Sequence, residues 1–185
     1  VGEGRMAEPE NIVQFIENDL RSKLPLRDKK VLITAGPTYE AIDPVRFIGN
    51  RSSGKTGVLL ADEFCDQGAE VTLVLGPSVH KPKNTSVKVI NIETAEEMFT
   101  KCIDVFKSVD IAVLSAAVAD YKPKEQSGSK IKKSNTEMNL ELTKTKDVLG
   151  ELGKQKNKQI LVGFALETEN ALDYAKEKIK KKNLD

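Results

Sequence analysis

The fold of this chain is decided by the stretch Val31-Leu-Ile-Thr-Ala-Gly-Pro-Thr-Tyr-Glu-Ala-Ile-Asp-Pro-Val-Arg-Phe-Ile-Gly-Asn-Arg-Ser-Ser-Gly-Lys-Thr-Gly57. It begins with the apolar run Val31–Ala35, typical of a buried β-strand, and continues into a loop rich in Gly, Pro, Ser, Asn and Arg. A helix is predicted over Gly54–Gln67, with Ser53 as its N-cap and Gly68 as its stop signal. This order of strand, polar loop and helix is typical of α/β proteins that bind a nucleotide or a phosphate.

Helical patterns and apolar runs alternate along the rest of the chain. Thr94-Ala-Glu-Glu97 is a capping box that opens a helix reaching Phe106. The alternation predicts an α/β fold with a Rossmann-like, doubly wound, mainly parallel sheet. Strands are predicted at Val31–Ala35, Val71–Leu75, Val87–Ile92, Ile111–Ser115 and Ile160–Phe164, and a last helix at Thr168–Lys182.

One segment, Asp120–Thr145, interrupts this alternation. It is rich in Gly, Ser and Lys and contains two short strand-like pieces, Lys130–Lys133 and Met138–Leu142. The sequence therefore predicts a hairpin or arm inserted into the sheet topology.

Composition restricts the functional classes that are open. A chain of 185 residues suits one globular domain, and its formal net charge of +1 gives no general attraction to nucleic acid or anionic membranes. Aromatic residues make up only 5%, which argues against binding single strands by stacking. Cys65 and Cys102 are far apart and form no C-x-x-C motif, so reduced, packed thiols are expected. We expect a cytoplasmic protein with neither nucleic acid nor membrane as partner.

The loop contains a string that matches a P-loop. Gly49–Thr56 satisfies the pattern G-x-x-x-x-G-K-[ST], but a P-loop needs a central strand running directly into Gly49. Pro44 and Arg46 suit such a strand poorly. A dinucleotide site is also disfavoured, because Gly36 stands alone without a G-x-G-x-x-G motif.

The residues of the loop nevertheless predict an anion site. Backbone N–H groups and hydroxyls of Gly36, Ser52, Ser53, Gly54 and Gly57 could donate to phosphate oxygens at the helix N-terminus. Asn50 and Arg46 add an amide and a guanidinium, which suit recognition of carboxylate or phosphate. The alternative is a helix cap with incidental surface charge.

Seven motifs occur together and in order: Ala35-Gly-Pro-Thr38, Asp43-Pro-Val-Arg46, Asn50-x-Ser-Ser-Gly-Lys55, Ala116-Ala-Val-Ala-Asp-Tyr121, Lys130-Ile-Lys-Lys133, Gly163-Phe-Ala-x-Glu167 and Lys182-Asn-Leu-Asp185. Over roughly residues 29–185 the chain resembles the phosphopantothenoylcysteine synthetase family, ligases of coenzyme A biosynthesis. Gly2-x-Gly-Arg-Met-x-Glu8 resembles the tail of the decarboxylase fused ahead of the synthetase in most bacteria. The resemblance implies a decarboxylase tail and linker helix over 1–28. It also implies a synthetase domain over 29–185 that ends before its last strands, with no flavin in this part.

The resemblance implies a reaction in two steps. A nucleoside triphosphate activates the carboxylate of 4'-phosphopantothenate as an acyl nucleotidyl anhydride and releases pyrophosphate. The amine of L-cysteine then displaces the nucleoside monophosphate. The fused arrangement implies CTP, an acyl-cytidylate and CMP. Mg²⁺ would be held largely by phosphates and water rather than by protein ligands. A homodimer paired through the Lys130 arm is also implied.

The resemblance assigns roles to named residues. The nucleotide would be bound by Gly36, Ser52, Gly54, Gly57, Ser115, Ala116, Asp120, Lys130, Phe164, Lys178 and Lys182. The acyl intermediate and phosphopantothenate would be bound by Asn50, Ala116, Ala117, Asp120 and, from a second subunit, Arg46. Asn50, Lys130 and Arg46 would be catalytic: Lys130 for forming the intermediate and Asn50 for converting it to product.

Two departures from the family and two other functions stay open. Many relatives carry Met at the position of Thr56, and Lys144-Thr-Lys-Asp147 stands where Lys-Asn-Pro-Asp is common, so the role of the Asp147 loop is open. A P-loop kinase or NTPase is the enzymatic alternative. The non-enzymatic alternative is a fragment that binds nucleotide and dimerises without turnover.

Overall fold

A computed structural model describes Gly4 and residues 6–133, 137–166 and 169–185 of the chain. The helices are α1 (Pro9–Ser22), α2 (Lys55–Asp66), α3 (Ala95–Phe106), α4 (Val148–Gln155) and α5 (Ala171–Lys182). The strands are β1 (Lys30–Ala35), β2 (Tyr39–Ala41), β3 (Phe47–Gly49), β4 (Glu70–Leu75), β5 (Lys88–Asn91), β6 (Ile111–Leu114), β7 (Tyr121–Pro123), β8 (Leu142–Lys144) and β9 (Ile160–Gly163).

Five strands form one parallel sheet in the order β5-β4-β1-β6-β9. Val31 of β1 lies opposite Val71 on one side and Ile111 on the other. The chain therefore starts in the middle of the sheet, moves outward on one side and then returns to fill the other. This is the doubly wound order, and it confirms the predicted fold class.

The central strand β1 is buried on both faces, which explains its continuous apolar sequence. Val31, Ile33 and Ala35 pack with Val58 and Ala61 of α2 on one side of the sheet. The alternate residue Leu32 packs on the other side with buried side chains of α3, α4 and β9, namely Met98, Cys102, Phe106, Leu152 and Leu161. Two apolar layers thus hold the sheet between helices.

Two small hairpins lie outside the main sheet; the sequence missed the first and predicted the second within Asp120–Thr145, but with its strands at the wrong residues. The polar loop after β1 contains the antiparallel pair β2–β3, which was not predicted. In the inserted segment β7 pairs with β8, so the prediction of strands at Lys130–Lys133 and Met138–Leu142 is wrong apart from Leu142. The reason at Ile131 is that its N–H and C=O bind Asp43 and Arg46 instead of a neighbouring strand.

One helix start differs from prediction, and one helix was missed. Gly54, in the left-handed conformation with φ of 76°, is the N-cap of α2, so Ser53 is not. The predicted stop at Gly68 is confirmed by its φ of 97°. Helix α4 was not predicted, because Gly150 and Gly153 weaken its pattern, but the carboxylate of Asp147 caps it by accepting from the N–H of Gly150. The predicted first residue of the last helix, Thr168, lies outside the described residues.

Helix α1 lies within the segment predicted to be a decarboxylase tail and linker. None of its residues is buried, although Phe15, Ile16 and Leu20 are apolar. Residues 1–3 and 5 of the predicted tail lie outside the described part, and the domain boundary stays a prediction. No helix among the described residues has the length and apolar character needed to cross a membrane.

We predict that the two cysteines resist alkylation in the native protein. Burial raises the pKa of the Cys102 thiol to about 12, and burial together with Asp66 and Asp62 raises the pKa of Cys65. Because the thiolate is the reactive form, iodoacetamide at pH 8 should modify Cys102 roughly a thousand-fold more slowly than an ordinary cysteine. Mass spectrometry of labelled peptides measures this, with unfolded protein as the control. Rapid labelling of native Cys102 would contradict the prediction.

Candidate functional site

A wide cleft, called the main cleft below, lies at the carboxyl ends of β1, β6 and β9. The chain order reverses between β1 and β6, and ligands of doubly wound proteins bind beside such a switch point. The cleft has a volume of about 920 Å³. The loops after β1 and β6 are joined beside it, since the N–H of Ala117 donates to the carbonyl of Gly36 at 2.9 Å.

Seven residues singled out from the sequence line this cleft together. They come from four separate segments of the chain that meet at one edge of the sheet: the loops after β6 and β9, the residue after β3, and helix α5. They are Asn50, Ala116, Ala117, Asp120, Phe164, Lys178 and Lys182.

Asn50 bridges two segments at this edge. It directly follows β3, and its amide nitrogen donates to the carbonyl of Val118 at 2.9 Å and to that of Ala117 at 3.4 Å. The shorter bond is the strong one. The side chain is thereby held between the β2–β3 hairpin and the loop after β6, although the residue is exposed.

The predicted phosphate-binding glycines and serines lie beside the cleft rather than in its lining. Gly36 and Gly54 both have positive φ, and a Cβ on Gly54 would lie 3.1 Å from the Cα of Gly36. This close packing sets the N-terminus of α2 against the end of β1. Ser52 turns inward on its own loop, where its hydroxyl accepts from the N–H of Gly54 at 3.4 Å.

Gly57 and Ser115 are used for packing between α2 and the sheet. A Cβ on Gly57 would lie 2.5 Å from the Cβ of Ala35, 2.6 Å from the Oγ of Ser115 and 2.9 Å from the carbonyl oxygen of Thr34. The Ser115 hydroxyl donates to that carbonyl at 2.7 Å. Both residues thus have a structural function in addition to the nucleotide contact predicted for them.

Arg46 and Lys130 lie away from the main cleft. Arg46 lines a second cleft of about 550 Å³ beside the β2–β3 hairpin. Within its own chain it is paired with the carboxylate of Asp43 and donates to the carbonyl of Ile131 at 2.8 Å. Lys130 is exposed on the arm. This chain alone therefore does not bring these two cations to Asn50.

Two lysines of α5 give the main cleft a cationic wall. Lys182 is paired with the carboxylate of Asp147, and Lys178 donates to the carbonyl of Phe164. Burial acts to raise the pKa of Asp147, but the hydrogen bonds from Lys182 and the Gly150 N–H, with the charges of Lys182 and Lys154, lower it overall. The carboxylate is therefore ionised at neutral pH and holds Lys182 at the cleft.

The last residues of the chain hold α5 in place. Asn183, in the left-handed conformation with φ of 54°, donates from its amide to the carbonyl of Gly153 at 3.0 Å. A Cβ on Gly153 would lie 1.9 Å from the carbonyl oxygen of Lys182, so glycine is required there. The Asp185 carboxylate accepts from the Leu161 N–H at 2.8 Å and pairs with Lys156 at 2.6 Å. The Lys182-Asn-Leu-Asp185 motif thus positions Lys182.

Sequence reasoning assigned no role to several residues of the cleft or to the buried carboxylate of Asp43. Arg51, Tyr121, Lys144, Thr145 and Lys146 also line the cleft. The position of Lys144, Thr145 and Lys146 could have been predicted from Asp147. That residue suits a helix N-cap, and apolar residues at helical spacing, Val148, Leu149 and Leu152, follow it directly. Asp43 carried no comparable signal for its contact with the arm, since Ile131 is distant in sequence, although its other partners, Val45 and Arg46, are local.

The geometry does not match a P-loop. Gly49 ends β3, which pairs antiparallel with β2 and is not part of the parallel sheet. A P-loop instead connects a central parallel strand directly to its helix. The string Gly49–Thr56 therefore lacks the structural context of the motif it spells.

Comparison with known proteins identifies the family. The sequence profile of the DNA/pantothenate metabolism flavoprotein C-terminal domain matches residues 26–185. The chain belongs to this family. All of the chain aligns with 46% of the coenzyme A biosynthesis bifunctional protein CoaBC of Bacillus subtilis, at 47% identity over 188 residues. It is also 49% identical over 189 residues to a protein of an unknown prokaryotic organism named cysteine/cysteine sulfinic acid decarboxylase, covering 53% of that relative. The chain thus spans about half the length of these relatives.

Solved structures agree with this relationship. The crystal structure of the C-terminal domain of a coenzyme A biosynthesis bifunctional protein CoaBC matches with a TM-score of 0.78 and 42% identity, over 88% of this chain and 76% of that one. A Cab2 mutant in complex with phosphopantothenate-cysteine has a TM-score of 0.75 at 20% identity, covering 96% of this chain and 79% of that one. The second likeness shows a shared fold. The resemblance to the bifunctional proteins of coenzyme A biosynthesis is confirmed.

Proposed function

We propose that this domain joins 4'-phosphopantothenate to L-cysteine at the expense of CTP. The observation that carries the proposal is the cleft at the switch point, which brings together seven residues that the ligase resemblance had singled out. Family membership over residues 26–185 supports it, as does the fold shared with a protein crystallised with phosphopantothenate-cysteine.

The first step forms the acyl-cytidylate. A carboxylate oxygen of phosphopantothenate attacks the α-phosphorus of CTP, and the bond to the β-phosphate oxygen breaks to release pyrophosphate. Lys178 and Lys182 at the cleft wall would offset the negative charge of phosphate oxygens, and Lys130 would do so from the arm of a partner subunit. Ala116 and Ala117 are small enough to let the reacting groups lie close to the backbone.

The second step forms the amide bond. The cysteine amine attacks the acyl carbonyl and loses a proton, and CMP departs with the former carboxylate oxygen. Asn50, held by Val118, would orient the anhydride for this attack. Asp120 at the cleft is placed to accept from a substrate amine or hydroxyl group. Phe164, 49% exposed at the end of β9, offers an apolar surface for the base.

Magnesium and a second copy complete the proposal. Among the described residues no group of three or more His, Cys, Asp or Glu side chains is placed to hold a metal ion. Mg²⁺ would therefore travel with CTP, whose phosphates it would neutralise, with Asp120 and Asp147 as the nearby carboxylates. Since Arg46 and Lys130 lie outside the cleft, a partner subunit would supply them. Both cysteines are free, which fits the reducing cytoplasm.

The test is a coupled assay on protein that carries the complete domain. With 4'-phosphopantothenate, L-cysteine and Mg²⁺, we expect release of pyrophosphate and CMP with CTP, and little turnover with ATP, GTP or UTP. Without cysteine, pyrophosphate should appear only as a single-turnover burst. Failure of every nucleotide to give pyrophosphate would overturn the proposal. Carbon dioxide released from cysteine would instead favour the decarboxylase activity named for one relative.

The same assay decides between the ligase and the alternatives. A P-loop enzyme should lose activity on Thr56→Met, because its magnesium-binding hydroxyl is removed, whereas the ligase should keep it. A domain that only binds nucleotide should show heat of CTP binding by calorimetry without pyrophosphate release.

A further inference from the structure

The turn between β2 and β3 encloses a buried carboxylate that the proposed mechanism does not use. Asp43 is 2% exposed and is, with Glu40, one of two carboxylates buried in the described part of the chain. The turn Asp43-Pro-Val-Arg46 is local, but it contacts the arm at Ile131, 88 residues away.

Asp43 is fully engaged in hydrogen bonds. One carboxylate oxygen accepts from the N–H groups of Val45 and Arg46, both at 2.9 Å. The other accepts from the Nε of Arg46 at 3.0 Å, from a second nitrogen of that guanidinium, and from the N–H of Ile131 at 3.1 Å. The Arg46 guanidinium and these backbone N–H groups outweigh burial and hold the pKa of Asp43 well below its usual range.

Asp43 and Arg46 together bind the backbone of one residue of the arm, Ile131. Asp43 accepts from the N–H of Ile131, while Arg46 donates to its carbonyl at 2.8 Å. A further bond, from the N–H of Ser127 to the carbonyl of Ile42 at 3.0 Å, ties the arm to the same hairpin. The arm contains no strand between Lys124 and Glu141 in its described residues, so these bonds replace a sheet as its anchor.

One of these hydrogen bonds holds the peptide group between Lys130 and Ile131. The N–H of Ile131 belongs to the peptide that begins with the carbonyl of Lys130. We propose that Asp43 is a positioning residue that fixes the base of the arm, so that Lys130 projects toward the nucleotide it serves. The inference rests on the proposed function. It also assigns Arg46 a second role, because Asp43 and Arg46 together form a clamp on the backbone N–H and carbonyl of Ile131.

The test compares the two buried carboxylates of the hairpin. Asp43→Asn keeps the size of the side chain but removes the charge that binds Arg46 and Ile131. Glu40→Gln is the matched control, because Glu40 accepts from Ala95 at the start of α3, at 2.8 Å, rather than from the arm. Ile131→Pro is the second variant, since it deletes the N–H that Asp43 binds and leaves the residues of the hairpin unchanged, although the proline ring also restricts the backbone at 130 and 131. Circular dichroism verifies that each variant is folded.

The first readout compares how much each variant slows the first half-reaction with how much it slows the second. Asp43→Asn and Ile131→Pro should slow pyrophosphate release in the absence of cysteine by about 100-fold, the size expected for displacement of a catalytic group by about 1 Å. The rate at which cysteine converts preformed acyl-cytidylate should change little in these two variants. Glu40→Gln should match the parent protein in the rates of both half-reactions. Equal losses in the two half-reactions would show a general structural defect and overturn the inference.

The second readout does not depend on activity. Trypsin should cleave after Lys132 or Lys133 faster in Asp43→Asn and Ile131→Pro than in Glu40→Gln or the parent protein. Cleavage after Lys130 is compared only between Asp43→Asn, Glu40→Gln and the parent protein, because trypsin does not cleave a Lys-Pro bond. If the parent protein is no ligase but the variants show this cleavage, the clamp stands and the proposed function fails. If the ligase is active but cleavage and pyrophosphate release are unchanged in the variants, the clamp is wrong.

Discussion

Replacement of Asn50 by alanine is expected to stop the proposed ligase reaction after its first half-reaction. The burst of pyrophosphate should persist, while release of CMP to cysteine should slow by about 100- to 1,000-fold, the effect of removing one positioned polar group at a reacting carbonyl. The structural reason is the position of Asn50, whose amide is held by the carbonyl of Val118 across the edge of the cleft. Alanine keeps the backbone of this segment but removes both the bridge and the polar group.

Rapid-quench measurement with labelled CTP separates the two steps for this variant. The acyl-cytidylate should accumulate to about one per site in the variant and be barely populated in the parent protein. Asn18→Ala is the control, because Asn18 lies on the exposed helix α1. A variant that loses the pyrophosphate burst and the overall rate in equal measure would assign Asn50 to the first step instead.

Replacement of Gly57 by alanine is expected to destabilise the fold. The new methyl group would meet the Cβ of Ala35, the hydroxyl of Ser115 and the carbonyl of Thr34, all within 2.9 Å. None of these is the end of a long side chain, so α2 must move away from β1. Overpacking of this kind costs up to about 3 kcal/mol, and the higher helix propensity of alanine offsets about 1 kcal/mol of it. A net loss of about 2 kcal/mol should lower Tm by roughly 4–8 °C.

Thermal unfolding followed by circular dichroism measures this loss. Gly128→Ala is the matched control, because a Cβ there meets nothing within 4 Å, and its Tm should stay within about 1 °C of the parent value. The comparison also separates the two roles of Gly57. An unchanged Tm combined with weaker CTP binding would contradict the packing argument and leave only the phosphate contact predicted from the sequence.

The parallel sheet could be predicted because its signals are local. Apolar runs such as Val31–Ala35 and Ile111–Leu114 indicate burial on both faces, and the capping box at Thr94–Glu97 marks a helix start that the structure confirms. Most of the cleft could be predicted for a related reason. In a parallel sheet the residues that follow strands meet at one edge, so Ala116 and Phe164 converge although they are distant in sequence. Asn50 reaches the same edge from the β2–β3 hairpin through its hydrogen bond to Val118.

Other features depend on long-range partners that a sequence does not display. Ile131 is a β-branched residue of the kind that is common in strands. Its backbone nevertheless binds the carboxylate of Asp43 and the guanidinium of Arg46, both in the turn between β2 and β3. Gly57 was predicted to approach a phosphate, because glycine near a helix N-terminus is compatible with that function. The structure adds a packing role, since its Cα also lies against side-chain and backbone atoms of β1 and Ser115.

The sequence by itself determined the five strands of the parallel sheet and the helices α2 and α3, the nature of the residues that end each central strand and the family to which the chain belongs. These follow from hydrophobic periodicity and from ordered motifs, which are properties of short segments. Only the tertiary structure decided that Gly49–Thr56 starts on an antiparallel hairpin, that Gly57 is a packing residue and that Asp43 clamps the arm. Each of these depends on which distant groups satisfy a backbone N–H or occupy the space beside a Cα, and folding alone brings those groups together.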